Sequence, residues 1–410
     1  MLMKTLLQGF LLSFLLVWYA EAQWVSHPTS VTQNLYGIGF ATKDVGFASG
    51  WDEYYSVVLR TVDGGTTWQQ TPLDSMLVFG IHTQTDKHVF IAGYDQSCNC
   101  AMILKTSDGG YEWQKENVPE YFGFYSFAFP TPTTGYVCGY GGGILRTKDG
   151  GASWQPLEPG TTIVFRNITF PNANVGYAVG GEHFNLPDQI YKTTDGGDSW
   201  ELQRDFQGSR SIGAMYFRDE ATGFIVGSDY KTKECVYKTT DGGATWVNVY
   251  SGPDKDVVLQ GIDFTNDMVG YAVGSFGRVL RTTDGGDTWE TLSSGTEEAL
   301  LAVDISPSGE VFTAGMNGLI LSYAAQSGVH ASAASASAPR ITYTSEGVTF
   351  RFASSPANAH LHLYDILGRE IRDVTPRSSE YLLSGVSSGS YLWKYDDGSG
   401  KTTAGVMIVS

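Results

Sequence analysis

The nonapeptide RTTDGGDTW, Arg281 to Trp289, decides the fold because the chain repeats it. Near-copies stand at 60–68 (RTVDGGTTW), 105–113 (KTSDGGYEW), 146–154 (RTKDGGASW), 192–200 (KTTDGGDSW) and 238–246 (KTTDGGATW). The motif aspartates fall at Asp63, Asp108, Asp149, Asp195, Asp241 and Asp284, separated by 45, 41, 46, 46 and 43 residues. That is the period of a propeller blade. Each unit carries the same signals in order: an alternating strand such as FRNITFP (165–171), a second such as GYAVG (176–180), and a variable loop. A third strand such as RVLRT (278–282), the DGG turn and a strand opening at Trp follow. Four strands per unit match a β-propeller blade.

A seventh unit, LLAVDISPSGEVFTAGMNGLILSY (300–323), supplies three strands and no DGG turn. The missing fourth is expected from QWVSHPTS (23–30), where Trp24 precedes Trp68 by 44 residues, one repeat. A ring closed by its own first strand leaves no exposed sheet end, whereas an open array needs capping repeats. The fold class is therefore all-β: a seven-bladed propeller over 23–324, closed by the N-terminal strand. Trp24, Trp68, Trp113, Trp154, Trp200, Trp246 and Trp289 share one position in the repeat and are expected to pack between blades.

A carboxylate repeated on six blades reads as scaffold. The Asp accepts backbone N–H bonds inside its turn, the glycines take left-handed angles, and the Trp buries. The basic residue before each box (Arg60, Lys105, Arg146, Lys192, Lys238, Arg281) is expected to pack its stem on the blade and pair with a local acid.

Composition agrees with strands and turns: 50 Gly, 10 Trp, 23 Tyr and 21 Phe in 410 residues. A net charge of −17 argues against nucleic acid, which needs clustered Lys and Arg. Cys98, Cys100, Cys138 and Cys235 are too few for a disulfide framework. Cys98 and Cys100 are expected as incidental thiols and Cys138 as a small core residue. Lys4, the apolar run Leu6 to Trp18 and Ala20-Glu21-Ala22 form a signal-peptide pattern over 1–22, with cleavage near Gln23. No other apolar run reaches the roughly 18 residues of a spanning helix.

These motifs resemble the Asp-box, or bacterial neuraminidase repeat. VGYAVGSFGRVLRTTDGGDTW (269–289) and TGYVCGYGGGILRTKDGGASW (134–154) are similar to the photosystem II assembly and stability factor-like propellers. That resemblance implies the fold; its function, assembly of a photosystem, sits beside a second domain of other character. Residues 325–340 form an Ala/Ser-rich linker, and 341–410 alternate apolar and polar residues as a small β-sandwich. LYDILGREI (363–371) and LSGVSSGSYLWKY (383–395) resemble the C-terminal sorting domain of type IX secretion cargo. A Lys frequent before the last strand of that family is absent here, where Gly405 and Val406 stand and Lys401 lies further back. The resemblance implies export, handling by the type IX machinery, and release or cell-surface attachment after tail removal.

The working surface is expected on the face opposite the DGG turns, built from the loops between second and third strands and the links between blades. Candidates there are Trp51, Tyr54, Tyr55, Tyr94, Arg166, Glu182, His183, Phe184, Arg210, Tyr230, Phe276 and Arg278, with the acids Asp52, Glu53, Asp95, Asp188 and Asp229. Aromatics and acids on a rigid scaffold suit a protein segment or a glycan. A glycosidase needs two opposed carboxylates, and no motif selects a pair; a sialidase arginine cluster would draw on Arg166, Arg210 and Arg278. No spacing calls for a metal or cofactor, His360 and His362 lacking a third ligand. The sequence thus points to a non-catalytic, secreted or surface propeller, with a glycan hydrolase or an assembly factor as alternatives.

Overall fold

A computed structural model describes residues 24–53, 55–118, 120–181, 188–206, 211–229 and 233–323, together with strands between 340 and 409. The expected signal peptide and linker, and the candidates Tyr54, Glu182, His183, Phe184, Arg210 and Tyr230, lie outside the described residues.

The alternation of each repeat becomes a four-stranded antiparallel sheet whose strands follow chain order. In the first blade these are Asn34–Phe40, Gly46–Trp51, Ser56–Thr61 and Gln69–Leu73. Five further sheets repeat the pattern. The seventh combines Leu300–Ile305, Val311–Gly315 and Ile320–Tyr323 with Val25–His27, in the register Val25↔Ser322, Ser26↔Leu321 and His27↔Ile320.

The Asp-box is a closed hydrogen-bond loop. In blade 1 the Thr61 hydroxyl donates to Asp63 Oδ1 (2.8 Å), which also accepts the Thr67 N–H (2.9 Å), while Oδ2 accepts the Thr67 hydroxyl (2.6 Å). Gly65 N–H turns back to Thr61 Oγ1 (2.9 Å), with Gly64 and Gly65 at φ of 68° and 84°. These bonds to the charged form depress the carboxyl pKa: the Ser199 hydroxyl and N–H hold Asp195 near 2, and Thr245 does the same for Asp241.

The second box glycine is where one blade meets the next. The second strand of every blade carries one buried aromatic: Phe47, Phe90, Tyr136, Tyr177, Phe224, Tyr271 or Phe312. A Cβ on Gly110, Gly151 or Gly286 would stand 2.8, 2.3 or 2.2 Å from the ring of Phe47, Phe90 or Phe224 in the preceding blade. The same ring stacks on a Phe ending the next blade's inner strand: Tyr136 on Phe170 (3.8 Å), Tyr177 on Phe217 (3.6 Å), Phe312 on Phe40 (3.9 Å). The box Trp meets that Phe edge-on, as Trp200 meets Phe170 and Trp246 meets Phe217. Each aromatic pair adds about 0.5–1.5 kcal/mol beyond its burial.

Four of the basic residues before the boxes reach across the same seam, and the expected acid is met in part: Arg146 pairs with Asp198 (2.6 Å) and Lys238 with Asp287 (2.7 Å) in the next blade, while Lys105 and Arg281 stand 3.8 Å from Glu116 and Glu290 of their own. Lys105 donates to Gly151 O (3.1 Å), Arg146 to Gly196 O (2.8 Å), Lys192 to Gly242 O (3.0 Å) and Lys238 to Gly285 O (2.8 Å), each in the following blade. Arg60 instead lies over the Tyr111 ring at 4.5 Å. Turn carbonyls lack a ladder partner, and the Lys or Arg head supplies the N–H donor they need.

The incidental-thiol reading of Cys98 and Cys100 is overturned: they form a disulfide with Cα atoms 5.3 Å apart. Asn99, at φ of 57°, reverses the chain between them, which an extended strand would not do. Cys138 is fully buried and free.

Residues 325–410 form a second compact unit. Its described strands make one sheet of Arg340–Thr344, Gly347–Arg351 and Glu380–Leu383, and another of Glu370–Val374, His360–Asp365, Gly389–Asp396 and Thr402–Val409. Phe350, Leu361 and Leu363 are buried. No described helix is long and apolar enough to cross a membrane.

Candidate functional site

The innermost strand of every blade is an edge of its sheet and lines an axial channel of about 1130 Å³. Each of the seven carries a bulge at the same position, so one residue is left out of the ladder: Tyr36, Phe79, Tyr125, Arg166, Gly213, Gln260 and Leu301. A bulge re-aims its side chain, and all seven line the channel.

The ring is lopsided. Blades 1 to 3 present aromatics, extended by Trp51 and Tyr140: Tyr36 stacks on Trp51 (5.5 Å), Trp51 meets Phe79 edge-on (6.0 Å), Phe79 packs on Tyr125 (4.7 Å) and Tyr125 on Tyr140 (5.6 Å). Burial, then a hydrogen bond to the Tyr140 hydroxyl, push the Tyr125 pKa far up, so this phenol stays neutral. Blades 5 to 7 offer Gly213, Gln260 and Leu301, which leave room opposite the aromatic wall.

One cation stands between the two halves. Arg166 is paired with the buried Asp188, whose other oxygen accepts the Ile212 N–H at 2.7 Å. Burial pushes the Asp188 carboxyl up against the pull of Arg166 and that N–H. No Asp or Glu is among the described channel-lining residues.

Of the expected residues, the structure brings Trp51 and Arg166 to the channel. Tyr55 is exposed beside it in sequence, on the loop of blade 1 where Asp52 accepts its N–H (2.8 Å). Tyr94 is half-buried and donates to Asn99. Asp95 is buried with Lys115 at 2.5 Å, and Asp229 accepts the Lys233 N–H (3.0 Å). Arg278 does not approach the channel: Glu234 (2.9 Å) and Asp254 (2.5 Å) hold its guanidinium, and with Phe276 it lines a separate groove. Tyr36, Phe79, Tyr125 and Tyr140 were missed because they sit on inner strands and a glycine turn rather than in the long loops. The signal available was the repeat column four residues before Phe40, Phe129, Phe170, Phe217 and Phe264, which varies while the residue before it stays large and apolar.

Residues 203–298 match the family model described as photosynthesis system II assembly factor YCF48. The chain shares the YCF48 propeller fold. A solved structure titled YCF48 bound to D1 peptide has 19% identity and a TM-score of 0.60, covering 74% of this chain and 96% of that one. YCF48 from Cyanidioschyzon merolae has 19% identity and a TM-score of 0.58, covering 74% and 99%. The GH74 xyloglucanase from Xanthomonas campestris has 14% identity and a TM-score of 0.57, covering 93% of this chain and 68% of its own. No curated protein matches the chain. Likeness to YCF48 at this identity carries the fold, and the ligand has to be argued from the channel itself.

Proposed function

We propose that this chain is a non-catalytic binding propeller that takes an extended polypeptide segment at its channel mouth. The observation that carries the reading is the ring of seven bulges, which sets Tyr36, Phe79 and Tyr125 on one wall of an open channel. Inner strands are sheet edges, so outward backbone groups and an uncharged aromatic wall together suit strand-like main-chain pairing with apolar anchors. The D1 peptide bound by a YCF48 structure supports a protein ligand for this fold. A glycan at the same mouth is the second reading, favoured by stacked aromatic faces and by the likeness to a xyloglucanase. Hydrolysis there would need two opposed carboxylates, which the described lining does not offer.

Export belongs to the same proposal. The signal-peptide pattern over 1–22 and the sorting-domain resemblance of the 341–410 β-sandwich favour a secreted or outer-membrane surface protein carried by type IX secretion, with 325–340 as linker.

The test is binding of the purified chain to an array of tiled extended peptides and to a glycan array, beside Phe79→Ala and Tyr125→Ala. Peptide signals abolished in both variants support the proposal. Peptide binding unchanged in both removes the channel mouth as the site, and glycan-only signals that both variants lose shift it to the second reading.

A further inference from the structure

The second and third strands of blade 6 are joined by Ser275-Phe276-Gly277-Arg278, closed by the Arg278 N–H donating to the Ser275 carbonyl. Phe276 and Gly277 both have positive φ, 55° and 63°. This is the type I′ geometry, which strongly favours Asn-Gly or Gly-Gly. Blades 7 and 3 obey that preference with Asn317-Gly318 and Gly141-Gly142 in the same turn. Blade 6 alone of these three puts a phenylalanine there, and the residue is 64% exposed. A bulky side chain in the left-handed region and an apolar ring in water are two separate costs on one residue. Folding gains nothing from either.

Beside the ring runs a groove of about 450 Å³ whose lining includes Arg278, Thr291, Leu292, Ser293, Thr296 and Glu297 with Phe276. Its floor is fixed, since a Cβ on Gly277 would stand 2.0 Å from Thr296 O. The guanidinium of Arg278 is held by the buried Glu234 and by Asp254, and the Tyr250 hydroxyl donates to the other Glu234 oxygen at 3.2 Å. A flat apolar face next to the Thr291, Ser293 and Thr296 hydroxyls, the Glu297 carboxylate and an oriented guanidinium is the chemistry of a sugar ring, whose C–H face stacks while its edge hydroxyls hydrogen-bond. Apart from Phe276, Leu292 is the one apolar side chain among the described residues of that lining.

We infer that this groove is a carbohydrate-binding site with Phe276 as its stacking platform. None of its residues lines the channel, so it stands whether or not a polypeptide occupies the mouth.

The test is calorimetric titration of the full chain with cello-, xyloglucan-, manno- and chito-oligosaccharides, beside Phe276→Asn and Phe79→Ala. Phe276→Asn restores Asn-Gly to the turn, so its Tm should rise by roughly 1–3 °C while affinity for the bound sugar falls at least tenfold. Phe79→Ala should bind sugar as the parent does. Absence of binding by every oligosaccharide, equal affinity in Phe276→Asn, or a Tm several degrees lower in that variant would each overturn the inference.

Discussion

Phe312 tests whether blades 7 and 1 are welded as firmly as blades that follow one another in sequence. Its ring is fully buried, stacks on Phe40 at 3.9 Å, and lies 2.9 Å from where a Cβ on Gly65 would stand. Trp68 meets Phe40 edge-on at 6.1 Å, so one ring supports the chain of contacts across the closure. Phe312→Ala removes the stacked partner and opens a cavity, a change that costs about 3–5 kcal/mol in a core. With roughly 2.1 cal/mol/K of unfolding entropy per residue over a propeller of about 300 residues, that is a Tm drop of roughly 5–8 °C. The assay is thermal unfolding followed by Trp fluorescence. Phe224→Ala serves as reference, because Phe224 stacks on Phe264 at 4.7 Å across the blade 5–6 seam. A closed ring predicts similar drops for both. A shift under about 2 °C for Phe312→Ala, with the full drop for Phe224→Ala, would refute the reasoning.

Two further outcomes follow from a carboxyl pair and a disulfide. Desolvation raises the carboxyls of Asp263 and Asp304 well above the usual carboxylate range, Asp304 with help from its neighbour's charge, while each accepts an inner-strand N–H of the next blade. The folded state therefore holds protons that the unfolded chain releases near pH 4, and stability falls as pH rises from there. Asp304→Asn keeps an oxygen for the Phe40 N–H and should raise Tm at pH 8.5 but not at pH 4; no gain at pH 8.5 contradicts this. The Cys98–Cys100 disulfide closes a hairpin whose Ala101 N–H holds the Tyr121 carbonyl at 2.7 Å, next to the exposed Phe122 of the channel rim. Cys98→Ser with Cys100→Ser should speed amide exchange over 94–101 and 120–123, and unchanged exchange would show the bridge to be without effect on the rim.

Six blades were legible because the Asp-box marks each with a Gly-Gly turn, and the seventh because its three strands lack a fourth that QWVSHPTS can supply. Six Trp positions follow from the boxes, and Trp24 from its one-repeat offset from Trp68. The direction of packing was not: the sequence shows a basic residue before each box, but only the ring geometry reveals that Lys238 serves Gly285 of the following blade. The channel wall was hidden because a bulge is a property of pairing register, and Tyr125 in FYSFA looks like any alternating strand until Ser126 pairs with Cys138 and leaves it out. Arg278 misled because its long stem allows many directions, and Glu234, distant in sequence and fully buried, chooses one. Phe276 was legible as an aromatic in a loop, though not as a residue in the backbone region that disfavours it.

The central claim is that ligand is held by the bulge ring at the channel mouth, on the face opposite the Asp-boxes. Amide hydrogen exchange on the full chain, with and without the tightest-binding array peptide, tests it most directly. Ligand at the mouth should protect Tyr36–Ile38, Phe79–Ile81 and Tyr125–Phe127 and leave the box turns at 63–67, 149–153 and 241–245 unchanged. Protection confined to the box turns, with the inner strands unaffected, would contradict it.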